Sequence, residues 1–172
     1  QRGRFREFYQ ADIDVIGDSK LDIINEAEIP AIICQTFTAL GLKNFQIRVN
    51  NRKILSGFLQ LLHWDHRAED ILRTVDKLDK IGSNQVGLLL YHEVGLDEDA
   101  AGDIMQLLST KGYNREVLAA LEEYRGQNEM FDRGLEELNT VVRYLEDFGV
   151  PAENFAVDLT IARGLDYYTG TV

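Results

Sequence analysis

The sequence predicts an α+β fold in which a strand-containing core with flanking helices is interrupted by an all-helical insertion. Apolar and polar residues alternate near both ends of the chain, at about 4–17, 45–50, 154–159 and 164–171, as they do in strands. Between about 64 and 147 this alternation disappears, and apolar residues recur at helical spacing. We therefore predict a first core part at 1–62, a helical insertion at 63–147 and a returning core part at 148–172.

The totals are those of an ordinary globular chain. Of the 172 residues 45% are hydrophobic and 27% are charged, which is enough for one core with a small appended unit. No apolar run has the length of a membrane span and there is no basic, apolar leader, so we expect no membrane association and a cytoplasmic location. Cys34 lies in an apolar run and is expected to be buried. The net charge of −11 argues against a broad surface for nucleic acid.

The first strand-like segment carries candidate binding residues. Alternation places Arg4, Arg6, Phe8 and Gln10 on one face. This face offers guanidinium groups for phosphate, a ring for base stacking and an amide for a polar ligand. The alternation continues to about residue 17 and allows Asp14 to face a cleft. The competing interpretation is a solvated edge strand whose arginines pair with carboxylates.

The segment 163–168, Arg-Gly-Leu-Asp-Tyr-Tyr, combines a cation, a glycine, an acid and two adjacent tyrosines. In an extended strand Tyr167 and Tyr168 point to opposite faces. One phenol can then line a cleft while the other packs.

Helices are predicted around these strands. Asn25 and Glu28 read as a capping box for a helix at 26–40, with Pro30 in or near its first turn. A second helix follows the strand at 45–50 and covers 52–62. Five helical repeats are predicted in the insertion, at 68–78, 84–94, 98–109, 115–124 and 129–148, with breaks at Gly82, Gly95, Gly112 and Gly126.

Two histidine-containing groups do not predict a metal site. His63 and His66 flank Asp65, but no companion cluster exists elsewhere in the sequence, and His92 has no second histidine four residues away. We interpret all three histidines as surface or helix-end groups and expect no bound metal. The glycines form no phosphate-binding loop, so phosphate would be bound by side chains.

Two of these segments resemble histidyl-tRNA synthetases. Residues 163–168 match the second histidine-specific motif of that family at every position. Residues 4–10, Arg-Phe-Arg-Glu-Phe-Tyr-Gln, followed four positions later by an acid, resemble the back half of motif 2 of class II aminoacyl-tRNA synthetases in its histidyl form. The junction at 50–55 is also similar to the family. The resemblance implies part of a mainly antiparallel class II sheet, with the helical insertion in the family's variable position.

Residue by residue, the resemblance implies that Arg4 contacts the phosphates of ATP and that Phe8 stacks on adenine. Gln10 and Asp14 would bind the substrate histidine, with Asp14 facing its amino group. Many histidyl enzymes carry Glu at the position of Asp14. Because Asp is one methylene shorter, the resemblance supports its electrostatic role more than a direct contact.

The same resemblance gives Arg163 the catalytic role, near the histidine carboxylate and the α-phosphate. Gly164, Tyr167 and Tyr168 would shape the imidazole pocket. Gln1 and Arg2 would lie where the tRNA acceptor end is bound.

The function implied is that of a histidine-tRNA ligase, an aminoacyl-tRNA synthetase of protein biosynthesis. It would activate histidine with ATP to histidyl adenylate and transfer it to the 3′ end of histidine tRNA. ATP is then a substrate, Mg²⁺ is expected with it, and no cofactor is tightly bound. The full-length protein is expected to be a homodimer.

Two alternatives remain open. A synthetase-like regulatory subunit of ATP phosphoribosyltransferase would keep the fold and sense histidine without activating it. The helical part could also act by itself as a tRNA-contacting or packing module. The resemblance puts the front of motif 2 before Gln1 and motif 3 after Val172. We therefore expect the isolated chain to be inactive in adenylate formation, and to self-associate or to owe its stability largely to its helices.

Overall fold

The computed structural model describes residues 7–161 and 169–172. Within these residues the chain is mostly helical and carries one pair of short strands. The strands are β1 (Ile47–Val49) and β2 (Phe155–Val157). The helices are α1 (Ile24–Ala39), α2 (Arg52–Leu61), α3 (Ala68–Val75), α4 (Leu78–Ile81), α5 (Ser83–Leu89), α6 (Glu98–Leu108), α7 (Asn114–Leu121) and α8 (Glu129–Asp147).

The strand pair is parallel, with Ile47 opposite Phe155 and Val49 opposite Val157. An isolated antiparallel bridge joins Asn51 to Thr171. The predicted combination of helices and strands is confirmed, but a mainly antiparallel sheet is not, since β1 and β2 form the only strand pair in the described ranges. A parallel pair requires a long crossover connection. Helices α2 to α8 provide it.

Residues 7–17 do not form the strand that their alternation predicts. The segment is exposed throughout, and Tyr9 and Ile16 lie open to solvent. Alternation produces a strand only where a neighbouring strand completes the hydrogen-bond ladder, and no described strand lies beside this segment. The prediction for 4–6 falls outside the described residues.

Helix α1 begins earlier than predicted. Its first turn is stabilised by Asp22, whose Oδ1 accepts from the N–H of Ile24 at 3.1 Å. Asn25 therefore lies inside the helix, and its side chain donates to the carbonyl of Asp22 instead of forming a box with Glu28. Pro30 consequently falls in the second turn, where it removes one hydrogen bond of the helix.

The helical repeats of the middle region are confirmed, with ends shifted by up to three residues. The repeat at 84–94 is divided into α5 and a π-helical turn, Leu90–Val94. The predicted breaks at Gly82 and Gly95 have left-handed φ angles of 81° and 83°, which favour glycine. Among the described helices, none combines the length and the apolar character needed to cross a membrane.

Helix α8 packs against α1 and α2, and this contact depends on two glycines. A Cβ at Gly57 would lie 2.4 Å from the backbone nitrogen of Phe131, and a Cβ at Gly134 would lie 2.8 Å from that of Ile54. The two backbones are therefore closer than any side chain between them allows. Helix α8 thus lies against the helices at the start of the chain. The domain boundaries at 63 and 147 stay a prediction.

We predict that Gly57→Ala destabilises the fold. The added methyl group meets backbone atoms of α8, so α2 and α8 must separate, and overpacking of this kind costs at least about 1–3 kcal/mol. The free energy of unfolding, measured by urea denaturation, should fall accordingly.

Gly102→Ala is the matched control. Gly102 lies in α6 and has no neighbouring atom within 4 Å of the position that a Cβ would take. Alanine there should stabilise the helix by about 0.5–1 kcal/mol. Equal effects of the two substitutions would contradict the close contact of α2 with α8.

Candidate functional site

Most of the predicted site residues lie at the two places that the structure leaves undescribed. Three of the predicted site residues fall in the described ranges: Phe8, Gln10 and Asp14. The others lie outside the described residues: Gln1, Arg2, Arg4, Arg163, Gly164, Tyr167 and Tyr168.

Phe8, Gln10 and Asp14 are all exposed in the structure, and 74% of the surface of Phe8 is accessible. The side chain of Gln10 donates to both carboxylate oxygens of Asp12, at 2.7 and 2.9 Å. The described structure therefore does not bring these three residues together in a pocket. Their predicted roles require the segment to be covered by a ligand or by further protein.

Asn50 connects the core to both flanks of the segment 162–168. It is only 2% exposed. Its Nδ2 donates to the carbonyl of Ile161 at 2.9 Å and to that of Leu159 at 3.4 Å. Its main-chain N–H donates to the carbonyl of Val172 at 3.1 Å, and the N–H of Val172 donates back at 2.8 Å. One buried residue thus binds the chain before and after the predicted histidine motif.

Asn51, which is fully buried, caps the start of α2 and contacts α8. Its Oδ1 accepts from the N–H of Lys53 at 3.0 Å, and its Nδ2 donates to Glu137 at 2.9 Å. The ammonium of Lys53 lies 2.5 and 2.6 Å from the two oxygens of Glu137, and Arg133 adds a longer bond of 3.3 Å. The β1–α2 junction is thereby tied to α8.

Glu26 of α1 binds the chain after the segment 162–168. Its carboxylate accepts from the N–H of Thr171 at 3.1 Å and also from the hydroxyl of Thr171. A Cβ at Gly170 would lie 2.9 Å from a Glu26 oxygen, so glycine leaves room for the carboxylate. The N–H of Arg52 donates to the carbonyl of Gly170 at 2.9 Å.

A small cleft of about 290 Å³ lies where Thr160 and Ile161 meet α3 and α4. We call residues 159–161, which precede the segment 162–168, its entry. Arg48 lines it and forms an ion pair with Asp158 at 3.1 Å, while Asp79 is 4.0 Å away. The half-exposed guanidinium is the positively charged group among the lining residues, which also include the carboxylates of Asp76 and Asp79. The cleft is lined by the two residues that precede position 162, and not by Phe8, Gln10 or Asp14.

A larger cavity, of about 410 Å³, lies between α5 and α6 and is lined by Leu88, Tyr91, His92 and Met105 among others. Of the predicted site residues that the structure describes, Phe8, Gln10 and Asp14, none lines it. His92 is exposed there, and His63 and His66 are exposed at the end of α2 and in the following turn. Their interpretation as surface and helix-end groups is confirmed.

Sequence reasoning missed the residues that bind the two flanks of the segment 162–168. In the sequence the junction at 50–55 shows only a similarity to a family, and neither Glu26 nor Glu137 shows any local signal. Each is one carboxylate among many on a helix. Their partners are distant in sequence, since Glu137 contacts Asn51 and Glu26 contacts Thr171.

Comparison with known proteins gives consistent matches over the chain. All of residues 1–172 match the family described as histidyl-tRNA synthetase. A Clostridium tetani protein named histidine–tRNA ligase is 50% identical over the full length of this chain, which spans 39% of that relative.

Solved structures agree with this match. The crystal structure of histidyl-tRNA synthetase from Nostoc sp. PCC 7120 has a TM-score of 0.84 at 37% identity, covering 88% of this chain and 36% of that one. A Bacillus halodurans structure, titled as an ATP phosphoribosyltransferase regulatory subunit/histidyl-tRNA synthetase, has a TM-score of 0.69. At 22% identity, over 87% of this chain and 38% of that one, it shows a shared fold only.

The ion pair of Glu137 gives the junction a pH dependence. Burial opposes ionisation of Glu137, but hydrogen bonds from Lys53 and Asn51 outweigh it and lower the pKa of the carboxyl. A lowered pKa in the folded state means that the unfolded state binds more protons. The stabilisation is therefore complete above the ordinary carboxyl range and is lost as the pH falls through the folded pKa.

We predict that Glu137→Gln lowers the free energy of unfolding at pH 7 by about 1.5–3 kcal/mol, because it removes charge-assisted bonds from a partly buried site. The difference from the unsubstituted chain should shrink as the pH falls from about 6 to about 3. Glu136→Gln, at the exposed neighbouring position, should change stability by less than about 0.5 kcal/mol. A difference that does not vary with pH would contradict an ionised Glu137.

Proposed function

This chain belongs to the histidyl-tRNA synthetase family, and from that membership we propose that the protein containing it is a histidine-tRNA ligase. The proposal rests on one observation above all. The match runs over the whole chain and includes the unbroken motif Arg-Gly-Leu-Asp-Tyr-Tyr at 163–168.

The regulatory-subunit alternative has weaker support. The relatives named as histidine–tRNA ligases reach 50% identity, whereas the neighbour whose title includes a regulatory subunit is 22% identical and speaks only for the fold. The intact Arg163 and the full run from Arg4 to Gln10 also favour the enzyme, as does the long helical part.

The proposed reaction has two displacements. A carboxylate oxygen of histidine attacks the α-phosphate of ATP and expels pyrophosphate, which leaves histidyl adenylate. A hydroxyl at the 3′ end of histidine tRNA then attacks the carbonyl carbon and expels AMP. Neither step needs a nucleophile from the protein, so catalysis consists of positioning and of charge stabilisation.

Arg163 is the proposed catalytic residue. A fixed guanidinium beside the carboxylate and the α-phosphate stabilises the negative charge that develops on the phosphoryl oxygens. Its place in the chain supports this role: it stands two residues after Ile161, whose carbonyl is held by the buried Asn50. A cation so close in sequence to an anchored residue is better preorganised than one far from any anchor.

The substrates are proposed to meet two segments. Arg4 and Phe8 bind the phosphates and the adenine of ATP, and Gln10 and Asp14 bind histidine from the side of its amino group. The exposure of Phe8, Gln10 and Asp14 leaves their side chains accessible to ligands. Gly164, Tyr167 and Tyr168 form the imidazole pocket from the other segment, while Gln1 and Arg2 contact the tRNA acceptor end.

The remaining assignments are proposed from the family. Mg²⁺ would accompany the ATP phosphates, because nucleotide-bound Mg²⁺ takes oxygen ligands from the phosphates. The full-length protein would be a cytoplasmic homodimer.

Incubating the full-length protein with histidine, ATP and labelled pyrophosphate tests the function. Lack of histidine-dependent label in ATP would refute the proposal.

We predict that Asp14→Asn in the full-length protein weakens histidine binding about tenfold or more. A carboxylate that faces an ammonium loses its charge on conversion to the amide, and such charge-assisted bonds contribute roughly 1.5–3 kcal/mol. Calorimetry with histidine measures the change. Asp18→Asn, at a nearby exposed position, is the control, and equal affinities of the two variants would remove Asp14 from the site.

For Arg163→Ala we predict a large fall in kcat for pyrophosphate exchange with a much smaller rise in the KM for histidine, as expected for an interaction made mainly in the transition state. Arg163→Lys should recover only part of the rate, because lysine lacks the planar fork of arginine. Arg115→Ala removes an exposed arginine of α7 and should leave the rate unchanged. A variant that is slow only at low histidine concentration would show that Arg163 merely binds substrate.

A further inference from the structure

The strand ladder ends at Asp158, before the segment 162–168. The last ladder bond of β2 is donated by the N–H of Asp158 to the carbonyl of Val49 at 3.0 Å. Beyond it the chain turns around Asp158, whose Oδ1 accepts from the N–H and the hydroxyl of Thr160 at 3.0 and 2.6 Å. Here the entry to the segment leaves the regular sheet.

Beyond the last ladder bond, the side chain of Asn50 binds the backbone of the returning chain. Its Nδ2 reaches the carbonyls of Leu159 and Ile161, while its Oδ1 accepts from the N–H of Asn51 at 2.8 Å. All the polar groups of this buried side chain are thus used. Asparagine fits because the position needs two donors and one acceptor on a short side chain. Aspartate has no donor, and a hydrophobic residue would leave the carbonyls of Leu159 and Ile161 without this partner.

The exit of the segment, residues 169–172, is held independently of the Asn50 side chain. Val172 exchanges two main-chain bonds with Asn50, Gly170 accepts from Arg52, and Thr171 donates to Glu26. A substitution of Asn50 therefore releases the entry while the exit keeps its main-chain and Glu26 contacts. Arg163 follows Ile161 by two residues in the sequence.

We propose that Asn50 is a positioning residue for histidine activation: its buried amide fixes Leu159 and Ile161 relative to the core, and the chain continues from Ile161 to Arg163 two residues later. This inference rests on the proposed function for its catalytic consequence. Its structural part, the anchoring of Leu159 and Ile161, does not. Asn50 touches no substrate in this proposal and acts through the chain that it holds.

The test uses Asn50→Ala in the full-length protein, with Asn114→Ala as the matched control. Asn114 also binds distant backbone through both ends of its amide, accepting from the N–H of Val157 at 2.7 Å and donating to the carbonyl of Phe155 at 3.4 Å. It ties α7 to β2 and does not contact the flanks of 162–168. Both variants should therefore lose stability, but only one should affect the segment.

The first measurement is steady-state pyrophosphate exchange at a temperature where both variants are folded. Displacing a catalytic group by about 1 Å costs on the order of a hundredfold in rate, so kcat should fall about tenfold to a hundredfold in Asn50→Ala. The KM for histidine should rise less than kcat falls, and Asn114→Ala should keep the kcat of the unsubstituted protein. Equal values of kcat in the two variants would overturn the proposal.

The second measurement needs no activity. Hydrogen exchange followed by mass spectrometry should show that peptides covering 159–168 exchange about tenfold faster in Asn50→Ala and remain unchanged in Asn114→Ala, since local opening is reported by amide exchange. Unchanged exchange in Asn50→Ala would refute the anchoring. If the unsubstituted protein itself shows no pyrophosphate exchange, the proposed function fails while this measurement still decides on Asn50.

Asn50→Ser is the second variant should Asn50→Ala fail to fold. Its hydroxyl can still accept from the N–H of Asn51, but it is too short to reach Ile161. The same loss of kcat and the same faster exchange at 159–168 are expected. Behaviour like that of Asn114→Ala would again contradict the proposal.

Discussion

The close contact of α2 with α8 is the constraint on which the rest of the structure depends. Gly57 and Gly134 let the two backbones approach to a distance that a single methyl group would prevent. The contact brings the end of the long helical region back against α1 and α2, at the start of the chain. Without it Glu137 would not reach Asn51 and Lys53, and the β1–α2 junction would lose its charged partner.

The β1–α2 junction links this helix packing to the chain that returns after β2. Asn51 contacts α8, and its neighbour Asn50 holds Ile161 and Val172. Both side chains are buried, and a buried amide without partners costs about 1–3 kcal/mol, so their geometry is strongly specified. Two adjacent residues thus connect the helical region to both flanks of the predicted histidine motif.

The N-terminal segment shows where pattern reasoning failed. The alternation from Arg4 to Gly17 is clear, yet residues 7–17 are exposed and unpaired by any described strand. A strand gains its hydrogen bonds from a neighbour, whereas a helix such as α6 satisfies its own backbone. The helical repeats were accordingly predicted well, the strand at 7–17 was not, and the mainly antiparallel sheet is not confirmed. The roles of Gln10 and Asp14 stay predictions.

The sequence by itself determined the helical repeats, the strands β1 and β2 and the motif at 163–168, because each depends on residues close together in the chain. It also carried the family resemblance, which comparison over residues 1–172 confirmed. Only the tertiary structure decided that β1 and β2 are parallel, that Glu26 binds Thr171 and that Asn50 holds both flanks of one segment. These features join residues more than a hundred positions apart, and no local pattern specifies which distant backbone a buried carboxylate or amide will meet.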